Sequence, residues 1–430
     1  MILYSTNKRS PRVSFEAALF QGLAPDAGLY FPSSYPKFTK QEIRNLIGKP
    51  LPEIGYQVLN KWLSDEIDSV SLAKIAKAAL DFPIPIKQVG PYYVLELFHG
   101  PTNSFKDVAA RVLAQLMNHY LLRRKQKMTL FVATSGDTGG AVAQAFSDTR
   151  RVDVFVLFPK GRVSSLQEEQ LTRVGKNVRP IEVEGTFDDC QSLVKKAIID
   201  RELQWLNISS ANSINIGRLL PQSIYYWYAY SRLKKRNIEF VVPTGNMGNI
   251  TAGLLAYKTG MPVSTFLAAT NRNNSLVRYL ATRKFIPKKS VSTLSNAMDV
   301  GNPSNFTRIM ELFSHNHLEL KRLIKASSIS DSQTIQTIKS VYKKYHYLLD
   351  PHSAVAWAAA GKRVKAKGPT LLLSTASPLK FADEIFKSTG IKFDSYWRKL
   401  PFMRRRKKKI SVENSYPAFK NAVLTQLKVI

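Results

Sequence analysis

Four times along this chain a short apolar run gives way to a turn of small residues and then to a stretch with helical spacing. Thr129-Leu-Phe-Val-Ala leads through Thr134–Gly140 into Ala141–Phe146, and Val152–Phe158 leads through Pro159–Arg162 into Ser165–Leu171. Glu239–Pro243 leads through Thr244–Asn249 into Ile250–Tyr257, and Thr370–Ser374 leads through Thr375–Pro378 into Phe381–Lys387. Runs that are continuously apolar predict strands buried on both faces. Their alternation with amphipathic helices predicts parallel sheets in an α/β fold. Ligands of such sheets gather beyond the carboxyl ends of the strands, where these turns fall. The first eighty or so residues differ: Pro- and Gly-rich turns precede helical patterns at Gln41–Ile47 and Leu72–Ala79, which predicts a separate N-terminal unit. After about Ile391 the chain is basic and poorly periodic, and it carries no repeat of solenoid length.

A length of 430 residues calls for two or three packed units. The apolar runs are strand-sized and far short of a membrane span. The first residues carry no apolar segment followed by a small-residue cleavage site, so a cytoplasmic protein with no membrane partner is expected. The single cysteine, Cys190, cannot form an internal disulfide or a multi-cysteine metal site, and no metal is expected. It lies in a predicted helix and reads as a packed thiol. A net charge of +32 raises the question of nucleic acid. However, the basic residues are scattered, and the one dense run, Arg404–Lys409, has no zinc-ligand spacing, RNA-binding aromatic motif or heptad beside it. A solvated basic surface with no nucleic-acid partner is the expectation.

Three segments carry candidate chemistry. Leu97-Phe-His-Gly-Pro-Thr-Asn-Ser-Phe-Lys-Asp107 sets Lys106 at the start of the helical stretch Val108–Tyr120. A cation there opposes the helix dipole. Burial would lower its pKa towards the neutral amine that attacks an aldehyde. Ala133-Thr-Ser-Gly-Asp-Thr-Gly-Gly140 brings hydroxyls and backbone N–H groups together at a strand-to-helix junction, a favourable place for an anion. Pro243-Thr-Gly-Asn-Met-Gly-Asn249 is a second such junction. It has neither the Gly-Lys-Ser/Thr ending of a nucleotide loop nor Gly-x-Gly-x-x-Gly, and it suits one isolated phosphate.

In this order the three segments resemble fold-type II pyridoxal-phosphate enzymes, the tryptophan-synthase-β-like family. The wording of Gly100–Asp107, Phe158–Ser164, Ser210–Arg218, Val242–Asn249, Ala269–Asn273, Ser295–Val300, Pro303–Phe306, Asp350–Ala356 and Leu373–Phe381 is similar to that of the threonine synthases. The opening, Tyr4-Ser-Thr to Gly28-Leu-Tyr-Phe-Pro, resembles their longer bacterial and fungal subclass. The resemblance implies two α/β domains with pyridoxal 5'-phosphate between them: residues 85–110 with 235–392 as the large domain and 111–234 as the small one. An N-terminal unit (1–84) and a basic C-terminal tail (393–430) complete the chain.

It further implies that Lys106 carries the cofactor and shuttles protons. Gly245, Asn246, Met247, Gly248 and Asn249 would hold the cofactor phosphate, and Thr375 would bond the pyridine nitrogen. Ser135, Gly136 and Thr138 would clamp the substrate, with Asn212, Ser213 and Arg218 as further substrate contacts. The implied reaction turns O-phospho-L-homoserine and water into L-threonine and phosphate, in a monomer or homodimer. Two positions depart from the family. Asp137 stands where shorter relatives have an Asn that contacts the cofactor, and Ser377 stands where close relatives have His. The alternatives are another fold-type II enzyme, such as a threonine dehydratase or cysteine synthase, and a non-catalytic basic binding protein. The first group lacks the N-terminal unit and the Asn-Ser-Ile-Asn-Ile-Gly-Arg motif. Both glycine loops and the lysine argue against the second.

Overall fold

The computed structural model describes residues 1–235, 237–363, 368–393 and 400–427. The chain opens with a small antiparallel sheet in which β1 (Ile2–Ser5) lies between β2 (Val13–Ser14) and β3 (Tyr30–Pro32). Two packed helices follow, Leu51–Leu63 and Ser69–Ala79. The first carries Pro52 as its second residue, where a missing N–H costs nothing, and it buries Ile54, Val58, Leu59 and Trp62 at helical spacing. Asp68 caps the second through the Ser71 amide.

The remaining strands are β4 (Ile86–Val89), β5 (Tyr92–Glu96), β6 (Met128–Ala133), β7 (Val152–Pro159), β8 (Val178–Glu184), β9 (Ile208–Ser210), β10 (Glu239–Pro243), β11 (Thr265–Thr270), β12 (Ile324–Ser328), β13 (Thr370–Ser374) and β14 (Ile410–Glu413). They form two sheets. One has the order β12-β11-β10-β13-β5-β4 and is parallel except for the antiparallel edge strand β4. The other, β14-β8-β7-β6-β9, is parallel throughout. β6 and β10 are buried at every residue, as their unbroken apolar runs predict for central strands covered on both faces. The helix Lys106–Arg124 links the two sheets and runs unbroken through residue 110. Both sheets direct carboxyl ends at one cleft: β6 and β9 from one side, β10 and β13 from the other.

The segment beyond residue 393 departs from the tail expected of it, although 394–399 and 428–430 lie outside the described residues. β14 extends the second sheet in register with β8, pairing Ile410 with Ile181 and Val412 with Val183. The helix Tyr416–Gln426 then buries Phe419 and Val423 against Phe131, Phe155 and Cys190. Four strand residues and an 11-residue helix with only Phe419 and Val423 buried are too little to register as a periodic pattern. The basic run is held to this sheet's acidic neighbours: Arg405 to Asp148 at 3.0 Å, Lys407 to Glu168 at 3.1 Å and Lys409 to Glu182 at 2.7 Å.

Candidate active site

Lys106 is the first residue of its helix, and the loop leading to it is fixed from both ends. The buried Asp107 carboxylate accepts from the Thr102 amide at 2.9 Å and the Thr102 hydroxyl at 2.7 Å. Phe105 N–H donates to the Thr375 carbonyl at 2.8 Å, and Ser377 N–H donates to the Asn103 carbonyl at 3.0 Å. The lysine is thereby stitched to the turn after β13. Its ammonium lies 5.6 Å from the Phe105 ring centroid and lines a cleft of about 900 Å³. Burial lowers its pKa to about 8; the Asp137 carboxylate pulls upward, while Lys380 and Arg218 add to the lowering. A measurable share of the amine is therefore neutral near pH 7.5.

Across the cleft, Thr134–Gly140 turns β6 into the helix Asp137–Ala145. Thr134 Oγ1 accepts from the amides of Gly136 and Gly139 at 2.9 and 2.8 Å. Gly136 has φ +134°, and a Cβ there would overlap the Gln167 side chain, so only glycine fits this corner. The amides of Asp137 and Thr138 donate to no group among the described residues. Ser135, Asp137 and Thr138 line the cleft, whereas Gly136 is not among its lining residues and packs against Gln167. Asp137 is buried, yet Lys380 and Lys106 outweigh the upward pull of burial and hold its carboxyl well below the usual range.

The second loop, Gly245–Asn249, turns β10 into the helix Gly248–Lys258. Its five consecutive amides donate to no group among the described residues. Asn249 folds inward, its Oδ1 accepting from Thr244 Oγ1 at 2.6 Å and its Nδ2 donating to the Pro243 carbonyl at 2.8 Å. Asn246 reaches sideways, donating to Ser213 Oγ and accepting from Ser304 N–H, both at 2.6 Å. Met247 adopts the left-handed region with φ 60° and buries its side chain. A Cβ on Gly245 would stand 2.6 Å from Met298 Cα, so this glycine lets two loops touch. Five orphaned amides at the amino end of a helix fit a phosphate, and a partly neutral lysine fits its aldehyde. Pyridoxal phosphate meets both requirements.

Asn212, Ser213 and Arg218 form a third wall. Asn212 Nδ2 donates to the Ala133 carbonyl at 2.8 Å, tying this segment to β6. Arg218 is buried, with Nη1 on the Ala211 carbonyl at 2.8 Å and Nε without a partner among the described residues. Burial lowers its pKa to about 10, against the upward pull of Asp107, so it remains a cation at neutral pH. Thr375 also lines the cleft, whereas Ser377 turns away and caps a helical turn through the Leu379 amide at 3.3 Å. His352 lies at the edge of the cleft, with Nδ1 2.8 Å from Asp350 Oδ1 and Nε2 accepting from Ala297 N–H at 3.2 Å. It anchors the loop that meets Gly245. His99 sits apart, 2.7 Å from Glu96 and stacked on Phe98.

Two buried cations escape a reading of the sequence. Arg308 is fully buried and donates to the carbonyls of Tyr30, Ser213 and Ile214. Lys380 is fully buried and reaches Asp137 Oδ1 and the Thr102 carbonyl, at 2.8 and 2.9 Å. The only local signal for Lys380 is a lysine inside the otherwise apolar Pro378-Leu-Lys-Phe-Ala.

Two facing α/β sheets, a lysine of lowered pKa between them and an amide cradle beside it define a pyridoxal-phosphate-dependent enzyme. The family described as "Pyridoxal-phosphate dependent enzyme" matches residues 82–375, and "Threonine synthase N terminus" matches residues 3–80. A curated threonine synthase of Buchnera aphidicola is 41% identical over 394 residues, covering 90% of this chain and 91% of its own. The crystal structure of a PLP-bound threonine synthase from Brucella melitensis superposes with a TM-score of 0.92 at 36% identity, covering 99% of both chains. That from Escherichia coli gives 0.91 at 37% identity, covering 99% of this chain and all of the other. The chain belongs to the threonine synthase family. Among the described residues no helix is long and apolar enough to cross a membrane.

Proposed function

We propose that the cleft converts O-phospho-L-homoserine and water into L-threonine and phosphate. The observation that carries this reading is the pairing of two amide cradles on either side of one lysine. One cradle, Gly245–Asn249, serves the cofactor phosphate. The other, at Asp137 and Thr138, together with the Arg218 guanidinium, is left for a small substrate bearing both a carboxylate and a phosphate. Bound pyridoxal phosphate supplies the electron sink that makes protons near the substrate's amino carbon removable. Lys106 Nζ takes the proton from Cα and then one from Cβ. Phosphate departs from Cγ, a proton is returned there, water places its hydroxyl on Cβ while its proton goes to the released phosphate, and a second proton is returned to Cα. Arg218 offsets the charge that develops on the departing phosphate. Ser135, Gly136 and Thr138 orient the substrate carboxylate, Asn212 and Ser213 fix the wall beside it, and the Thr375 hydroxyl would serve the cofactor's ring nitrogen as a neutral partner.

In this reading the cofactor sits between a large domain of 85–110 with 235–392 and a small one of 111–234, with 1–84 as an N-terminal unit. Cytoplasmic residence and a monomeric or homodimeric state belong to it too, in keeping with a single buried cysteine.

Purified protein supplied with the cofactor is expected to release phosphate and form threonine from O-phospho-L-homoserine, and Lys106→Ala is expected to abolish both. Full activity in Lys106→Ala would overturn the assignment. So would 2-oxobutyrate formed from threonine with no turnover of the phosphorylated substrate.

A further inference from the structure

The wall of the cleft beside Lys106 contains an arrangement that binding the substrate and cofactor does not account for. Asp137 projects a carboxylate into a site built to receive anions. Its Oδ1 accepts from Lys380 Nζ at 2.8 Å and from Gln167 Nε2 at 2.9 Å. Lys380 is fully buried on the helical turn Pro378–Phe381, and its second bond goes to the Thr102 carbonyl at 2.9 Å. Gln170 Nε2 meets the same carbonyl at 3.0 Å, and Thr102 in turn holds Asp107, the neighbour of Lys106. One ammonium thus joins the helix of the second sheet that bears Asp137 to the loop of the first sheet that delivers Lys106.

Burying a lysine and an aspartate together gains little stability over an apolar pair of the same size, so the pair calls for a reason beyond folding. The reason lies in the charges facing Lys106. Asp137 comes from the helix after β6, Lys380 from the turn after β13 and Arg218 from the segment after β9; Asp107 follows Lys106 on its own helix, and His352 lies near Asp137. Asp137 is the carboxylate among these whose charge acts on Lys106. Left unpaired, it would find its counter-ion in Lys106 and hold that amine protonated. We propose that Lys380 is a positioning residue that occupies Asp137 as its permanent counter-ion, leaving Lys106 free to be the neutral amine the reaction needs. This deepens the reading of Lys106 as the cofactor-bearing lysine and rests on it. It also explains why a buried lysine stands opposite Asp137, a partner that a neutral asparagine at position 137 would not need.

The test reads the amine itself, without substrate. In the full chain freed of cofactor, trace labelling with acetic anhydride across pH, read by mass spectrometry on the peptide containing Lys106, gives the midpoint of that one amine. Lys380→Met is expected to move the midpoint up by about one pH unit, the size of shift an unshielded neighbouring charge produces. Asp137→Asn is expected to move it down, because the Lys380 charge then acts unopposed. The double variant is expected to return close to the native midpoint, and Lys380→Arg to keep it. Single variants that leave the midpoint unmoved, or move it in the same direction, would overturn the proposal, since a role in packing alone predicts a loss of melting temperature without opposite shifts. Should Lys380→Met fail to fold, Asp137→Asn decides: a lowered midpoint supports the proposal and an unchanged one overturns it. In the cofactor-loaded chain the pH titration of the absorption band is expected to move in the same directions. Failure of the proposed overall reaction would leave these titrations unaffected, so the two ideas fail separately.

Discussion

Arg308 offers the most quantitative test of how the site is held. Its guanidinium is fully buried and makes five hydrogen bonds: two to the Tyr30 carbonyl at 3.2 and 2.8 Å, and one each to Ile214 O at 2.7 Å, Ser213 O at 3.1 Å and Asn305 Oδ1 at 2.9 Å. It therefore fastens the N-terminal unit, through β3, to the Ser213 wall of the cleft. Methionine at this position fills most of the space and leaves three buried carbonyls without a donor. Each stripped acceptor costs about 1–3 kcal/mol. Water entering the space left by the guanidinium recovers part of this, so Arg308→Met is expected to lose about 4 kcal/mol. That is a large part of the roughly 5–15 kcal/mol that separates a folded domain from its unfolded chain. Arg308→Lys, with one nitrogen that can reach only some of these acceptors, is expected to lose about half as much. Urea unfolding of the cofactor-free chain followed by circular dichroism measures both variants, and KM is expected to rise more than kcat falls because Ser213 loses its anchor. An Arg308→Met protein within about 1 kcal/mol of the native one would refute the claim that these bonds tie the wall together.

Three further outcomes follow from the same geometry. Lys106 has a folded-state pKa of about 8, below that of an unfolded lysine, so its charged form costs stability below pH 8 and the cost fades as pH rises towards 10.5. Cofactor-free Lys106→Met is accordingly expected to melt above the native chain at pH 7, with a margin that shrinks in alkaline buffer. Gly245→Ala drives a Cβ to 2.6 Å from Met298 Cα, an overpacking of about 1–3 kcal/mol. Absorbance titration should show cofactor affinity weakened roughly tenfold, and native affinity would contradict the close approach. Phe419→Ala empties a fully buried site whose ring centroid lies 5.6 Å from that of Phe131, and about 3–5 kcal/mol of stability should be lost in chemical denaturation.

The site was legible where its chemistry is local in sequence. The lysine at a helix start and two glycine turns after apolar strands are each contained within a dozen residues, and the turns fall where parallel sheets bind ligands. Elements held by distant partners were not legible. Lys380 meets Thr102 and Arg308 meets Tyr30 across 278 residues in each case, and no spacing rule links such positions. The helix Leu51–Leu63 is hidden by Pro52 and Gly55, which read as breakers. Pro52 lies in the first turn, where proline is tolerated, and Gly55 makes room for Leu80. The charge of Arg404–Lys409 masked β14, because that run adjoins a strand of only four residues, two of them polar.

The pairing of β14 with β8 also sets an order of events during synthesis. Domains usually assemble as they emerge from the ribosome, amino end first. Here the edge strand of the second sheet lies far downstream of β8, so β8 keeps an unpaired edge, and Phe131 and Phe155 lack their Phe419 and Val423 neighbours, until that later segment has been made. A nascent chain held before Ile410 would expose an unpaired strand edge and an apolar patch, the features that recruit chaperones or neighbouring copies.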